Sequence, residues 1–118
     1  MAANIPNLEK FSGSYQDLCQ YINTAQKLVV VDFSAEWCPP CRRLGELLPS
    51  IAESNPHVQF LKIDIDESRD VSNHYGVSSI PHIKFLKAGQ DGQIQELASV
   101  IGADIPQIKA KISQFTSS

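Results

Sequence analysis

Nowhere in the 118 residues does an apolar run approach the ~20 that a bilayer-spanning helix needs, so no membrane partner is expected. Basic side chains do not gather into a stripe. Lys and Arg number 10 against 13 Asp and Glu, the formal net charge is -3, and only Arg42-Arg43 sit together. That argues against a nucleic-acid partner, which calls for a basic face. There is no internal repeat, low-complexity tract or Pro/Ser-rich linker, and the length suits a single domain over residues 1–118. Gly89, Gly92 and Gly102 fall in turns, without the strand–loop–helix setting of a phosphate cradle, so no nucleotide or flavin cofactor is expected. Met1-Ala2-Ala3-Asn4-Ile5-Pro6-Asn7 has no basic segment leading into an apolar stretch and makes a poor secretion signal. Cysteines number 3, an odd count unlike a secreted disulfide framework, so a reducing, cytoplasmic location is expected.

The composition, 42% hydrophobic, supports one packed core. Tyr15, Leu18, Ile22 and Ala25 recur at helical spacing within 14–26. Leu28-Val29-Val30-Val31-Asp32-Phe33 is a short β-branched run, the pattern of a strand buried on both faces. Leu44, Leu47, Leu48 and Ile51 stripe a helix over 39–54, and Val58–Asp64 reads as a second strand. Ser68–Tyr75 predicts a short helix with Ser68 as N-cap and Gly76 past its end. His82–Lys87 and Gln93–Val100 flank the turn Ala88-Gly89-Gln90-Asp91-Gly92, an antiparallel hairpin. Ile105, Ile108, Ile112 and Phe115 mark a last helix, with Asp104 and Pro106 at its start. With the first residues as an edge strand, the order βαβαβαββα predicts an α/β fold: a central mixed sheet with helices on both faces.

One short stretch carries chemistry: Trp37-Cys38-Pro39-Pro40-Cys41. Two thiols so close are half a metal site, a structural bridge or a redox dithiol. A zinc site typically needs four ligands, and Cys19, His57, His74 and His82 supply no tight second pair. A permanent bridge across so small a loop adds little stability. The redox reading has positive support. The pair lies where the Val29–Phe33 strand gives way to a helix, beyond the strand's carboxyl end. Proline suits a helix's first turn. Cys38 then sits near the N-cap, where the helix dipole favours a thiolate, the nucleophile of disulfide exchange. Cys41, about one turn further in, is expected to be shielded while Cys38 is exposed. Asp32, ending an apolar run, is expected to carry a raised pKa and to accept the Cys41 proton, with Lys62 on the neighbouring strand tuning it. Cys19 reads as half-buried filler of the first helix.

The segment VVVDFSAEWCPPCRRL resembles the active-site segment of the thioredoxin family, as do KIDIDES around Lys62, YGVSSIPH around Pro81 and Gly102-Ala103 before the last helix. The resemblance runs from about Phe11 to Phe115. It implies the thioredoxin fold, a cis peptide before Pro81, and a shallow apolar docking surface of Trp37, Ile80, Pro81, Gly102 and Ala103 beside Cys38. It implies a thiol–disulfide oxidoreductase that reduces disulfide-bearing protein substrates, fed by an upstream reductase or a small-thiol donor. The other reading is a binding module that keeps the groove without turnover. This chain departs from the family in three ways. Pro39-Pro40 replaces the usual Gly-Pro, as in tryparedoxins and nucleoredoxins. His82 stands where Thr is usual and reads as a surface residue. The family's helix proline is absent at Glu46, and Pro49, appearing later, is expected to kink or interrupt the helix.

Overall fold

The structure, a computed structural model, describes residues 4–117. The chain opens on a short strand, β1 (Leu8–Lys10), followed by α1 (Tyr15–Ala25), β2 (Val29–Ser34), α2 (Pro39–Glu53), β3 (Gln59–Asp64) and α3 (Arg69–His74). The hairpin β4 (His82–Ala88) and β5 (Ile94–Ile101), joined through a 3-10 turn at Gln90–Gly92, leads to α4 (Ile105–Thr116). Five strands form one mixed sheet in the order β1-β3-β2-β4-β5. The first three run parallel to one another, and β4 runs antiparallel to β2 and β5.

Local chemistry sets the helix starts. Ser14 caps α1: its hydroxyl accepts from the Asp17 amide at 3.1 Å, and the Asp17 carboxylate accepts from the Ser14 amide at 3.0 Å. This reciprocal pairing satisfies two donors that the first helical turn otherwise leaves free. Asp104 caps α4 in the same sense, accepting from the Gln107 amide at 3.2 Å. Ser68 precedes α3 but makes no side-chain cap hydrogen bond; it is buried instead.

Alternation along β2 divides the core. Val29, Val31 and Phe33 join Leu18, Ile22, Leu61, Ile63 and Val71 on the α1/α3 face. Val30 joins Leu44, Leu48, Ile51, Phe60, Ile83, Phe85, Ile108 and Ile112 on the α2/α4 face. By the same period of two, Asp32 belongs to the α2/α4 face. Pro49 lies inside α2 and does not end it, contrary to the expected interruption. Leu44 and Leu48 before it and Ile51 and Ala52 after it are all buried, so packing on both sides of the proline holds the helix through it.

His82 corrects another expectation. It is not on the surface but 8% exposed. It opens β4 opposite Phe33 and therefore faces α1 and α3, the side away from Asp32. Burial first, and the nearby Lys84 charge second, hold its imidazole below the ordinary range, with Glu96 pulling the other way. Lys84 is itself buried, donating to the Glu96 carboxylate at 3.2 Å and the Ser99 hydroxyl at 3.1 Å.

Candidate active site

β2 carries the backbone to Ser34, and a short turn closed by the Cys38 amide on the Ala35 carbonyl (3.2 Å) delivers Cys38 to the head of α2. Pro39 and Pro40 fill the first helical positions, where a missing N–H costs nothing. Cys38 is the N-cap, and its Sγ accepts the Cys41 backbone N–H at 3.2 Å. A sulfur that receives an amide at the positive end of a 15-residue helix is stabilised as thiolate. The two sulfurs stand at bonding distance and form a disulfide, with Cα atoms 5.2 Å apart.

The expected contrast in burial is absent in this oxidised form: Cys38 is 4% and Cys41 5% exposed. Ala35 packs against both cysteines, as do Ile65 and Ile80 from two other segments. What distinguishes the two residues is their surroundings. Cys38 Sγ approaches the Ile80 carbonyl at 3.9 Å, on the side of the Ile80–Pro81 bond, which is cis. Cys41 instead lines a cleft of about 390 Å³ that also touches Ser34, Gly45, Lys62 and Asp64.

Asp32 is 2% exposed, and neither carboxylate oxygen has a hydrogen-bond partner among the described residues. Desolvation pushes its pKa up to about 7, with the positive charge of Lys62 pulling the other way. Lys62 sits directly opposite Asp32 in the parallel β2–β3 register, so the two share a sheet face.

Trp37 stands 64% exposed, and its indole Nε1 donates to Asp66 Oδ2 at 2.9 Å. Asp66 is steadied in turn, its amide donating to Asp64 Oδ1 at 2.8 Å. Asp66 was invisible to pattern reading, because its partner lies 29 residues away. The Gly102 amide donates to the Pro81 carbonyl at 2.8 Å, bringing Gly102-Ala103 against the cis-proline loop. Gly102 has φ of 94°, a conformation that a side chain disfavours. Trp37, Ile80, Gly102 and Ala103 all keep exposed area, whereas Pro81 is buried. Ile101, not anticipated as part of this surface, is 63% exposed at the end of β5. Its only sequence signal is an apolar residue in an outward slot just before Gly102. Cys19 is free and half-buried in α1.

A family model described as thioredoxin matches residues 10–114. This chain belongs to the thioredoxin family. It is 37% identical over 115 residues to a thioredoxin of Ictalurus punctatus, covering 96% of this chain and 97% of that one. Among solved structures, a Trichomonas vaginalis thioredoxin superposes with a TM-score of 0.88 at 44% identity, covering 93% of this chain and 98% of the other. A thioredoxin from Nicotiana alata gives 0.84 at 29% identity, covering 99% of each. The expected fold, a mixed sheet with helices on both faces, is the one observed. The family, together with the Cys38–Cys41 pair at disulfide distance, makes the chain a thiol–disulfide oxidoreductase of the protein-disulfide reductase type. Thioredoxins act on disulfide-bearing substrates and are themselves reduced by reductases or thiols. No helix among the described residues is long and apolar enough to cross a membrane.

Proposed function

We propose that Cys38 is the nucleophile, Cys41 the resolving thiol, Asp32 the proton acceptor and Lys62 the charge that tunes it. The Cys38 thiolate attacks one sulfur of a substrate disulfide, forming a mixed disulfide and expelling the first substrate thiolate, which takes up a proton. Asp32 receives the Cys41 proton. The Cys41 thiolate then attacks Cys38 Sγ, closing the Cys38–Cys41 bond and releasing the second substrate thiol. Two electrons pass from the dithiol to the substrate, and nothing else is oxidised or reduced. The observation that carries the assignment is the Cys41 N–H donated to Cys38 Sγ at the head of α2, which favours charge on Cys38 rather than on Cys41.

Trp37, Ile80, Pro81, Gly102 and Ala103 form the docking surface, Pro81 through its backbone. An extended, disulfide-bearing protein segment is the substrate class that suits a shallow apolar shelf beside a recessed sulfur. Asp66 acts as a positioning residue that holds the Trp37 ring at the shelf's edge. The protein works in the cytoplasm without a cofactor or bound metal, drawing electrons from an upstream reductase or a small thiol. It engages neither nucleic acid nor membrane.

Cys41→Ser tests the two-step order. Mixed with a disulfide-bonded protein such as insulin, this variant should accumulate a covalent adduct through Cys38, while Cys38→Ser should give none. Both variants failing to form an adduct, with the wild type inactive under every reductant, overturns the assignment in favour of a binding module.

A further inference from the structure

The α1/α3 face of the β4–β5 hairpin holds buried polar groups that the mechanism above does not use. His82 is the least satisfied of them. Both its ring nitrogens are buried without a hydrogen-bond partner among the described residues. A neutral imidazole has one N–H to give and one lone pair to fill, and here both go unmet. Its place in the sheet matters. Phe33, His82 and Ile101 form one register row across β2, β4 and β5, so their side chains share a face. Ile101 is 63% exposed and β5 is the sheet edge. The short way from the imidazole to water therefore passes Ile101. The next rung is the Gly102 amide on the Pro81 carbonyl at 2.8 Å. Together the two rungs tie the cis-proline loop to the end of β5.

The surrounding charges oppose a proton on the ring. Lys84, two residues along on the same face, is itself buried, and its ammonium already engages the Glu96 carboxylate at 3.2 Å. A charged His82 would set a second cation beside Lys84 with that one carboxylate between them. From α1 this face receives Tyr15 and Cys19, and from the end of α3 Tyr75 and His74, the latter stacked on Tyr15 at 3.5 Å. Tyrosine hydroxyls, which ionise near about 10, stay neutral. We propose that His82 is a positioning residue for protein docking: its neutral ring locks the Pro81–Gly102 end of the shelf, and a proton drives it out past Ile101 and loosens that end. This role rests on the docking surface proposed above. Acid then weakens the docking of protein substrates and leaves the dithiol open to small disulfides.

Ring resonances of His82 and hydrogen exchange at the Gly102 amide test this in the oxidised wild type. The opened form binds a proton with the unperturbed pKa of 6.5, and the closed form resists it through burial and Lys84. Gly102 protection should therefore fall by about five- to tenfold between pH 7.5 and pH 5.5, with the ring titrating below 6.5. Asp32, on the other face, cannot mimic this fall, because its protonation stabilises the fold in acid. One pH unit below the ring's midpoint, KM for a protein disulfide should stand about tenfold above its neutral value, with KM for a dinitrobenzoate disulfide unmoved. His82→Phe keeps a flat ring between Phe33 and Ile101 and should remove the pH dependence of both readouts. Unchanged protection in the wild type, the same fall in His82→Phe, or KM values that move in parallel for the two substrates overturns the proposal. The docking surface itself is judged at pH 7.5, where the imidazole is neutral. There a protein disulfide titrated into Cys38→Ser should shift the amides of Ile80 and Gly102. Shifts that miss both overturn the docking reading and leave the exchange result standing.

Discussion

The Asp32 carboxyl is buried with neither oxygen hydrogen-bonded, so its charge is held in the folded state at a cost in solvation. Its folded pKa of about 7 stands above the unfolded value of 3.8. Between those values the folded protein binds the extra proton, so stability falls as pH rises through that window. An asparagine in its place would keep a similar shape without the charge. Asp32→Asn should therefore match the wild type near pH 4 and exceed it by about 4 kcal/mol at pH 8, from roughly three pKa units at 1.36 kcal/mol each. Urea unfolding of the oxidised proteins at the two pH values measures this. Equal stability at pH 8 means that the carboxylate is solvated in the folded state. On the proposed proton route, the same substitution should slow resolution of the mixed disulfide near neutral pH, because it removes the proposed acceptor of the Cys41 proton.

Among the elements, those that carry their own periodicity are legible in the sequence. β2 announces itself by its Val-rich run, and α2 by the proline pair and the leucine stripe. β1 is different: Leu8-Glu9-Lys10 has no strand pattern of its own and is a strand because β3 offers it a parallel partner. Pro49 misleads because the local rule counts a lost hydrogen bond and cannot count the buried Leu48 and Ile51 on either side. Asn7 gives no signal at all. Its side-chain amide donates to the carbonyls of Ala52, Asn55 and Val58 at 2.8, 2.9 and 2.9 Å, tying the chain before β1 to the turn between α2 and β3. No spacing rule anticipates three acceptors about 50 residues away in sequence. Asn7→Ala should cost about 1–3 kcal/mol, since partly buried carbonyls lose their donor. Thermal unfolding and amide exchange at Val58 and Gln59 would register it. An unchanged melting temperature would mean that water replaces the side chain.

Across the whole molecule, the candidate site draws on segments that only the completed fold brings together. Asp32, Cys38 and Cys41 can be found from one strand–helix junction. The burial of Cys38 cannot, because Ile65 and Ile80 arrive from elsewhere in the chain. His82 misleads for a related reason: a polar residue after proline suggests surface, yet the β4 register against Phe33 turns it inward. Ile101 is the converse, an apolar residue turned outward beside Gly102. A lone exposed isoleucine needs no explanation. Here, however, it continues the proposed docking shelf, whose role as proposed is in protein contacts rather than in the reaction at sulfur. Ile101→Lys should therefore leave the fold and the reduction of a small disulfide intact while raising KM for a protein disulfide by about tenfold, the scale of losing one apolar anchor. Parallel assays with a dinitrobenzoate disulfide and a protein disulfide separate the two effects. Equal losses with both substrates would place Ile101 in the chemistry of the dithiol, whereas no loss with either would confine the shelf to the residues nearer Trp37.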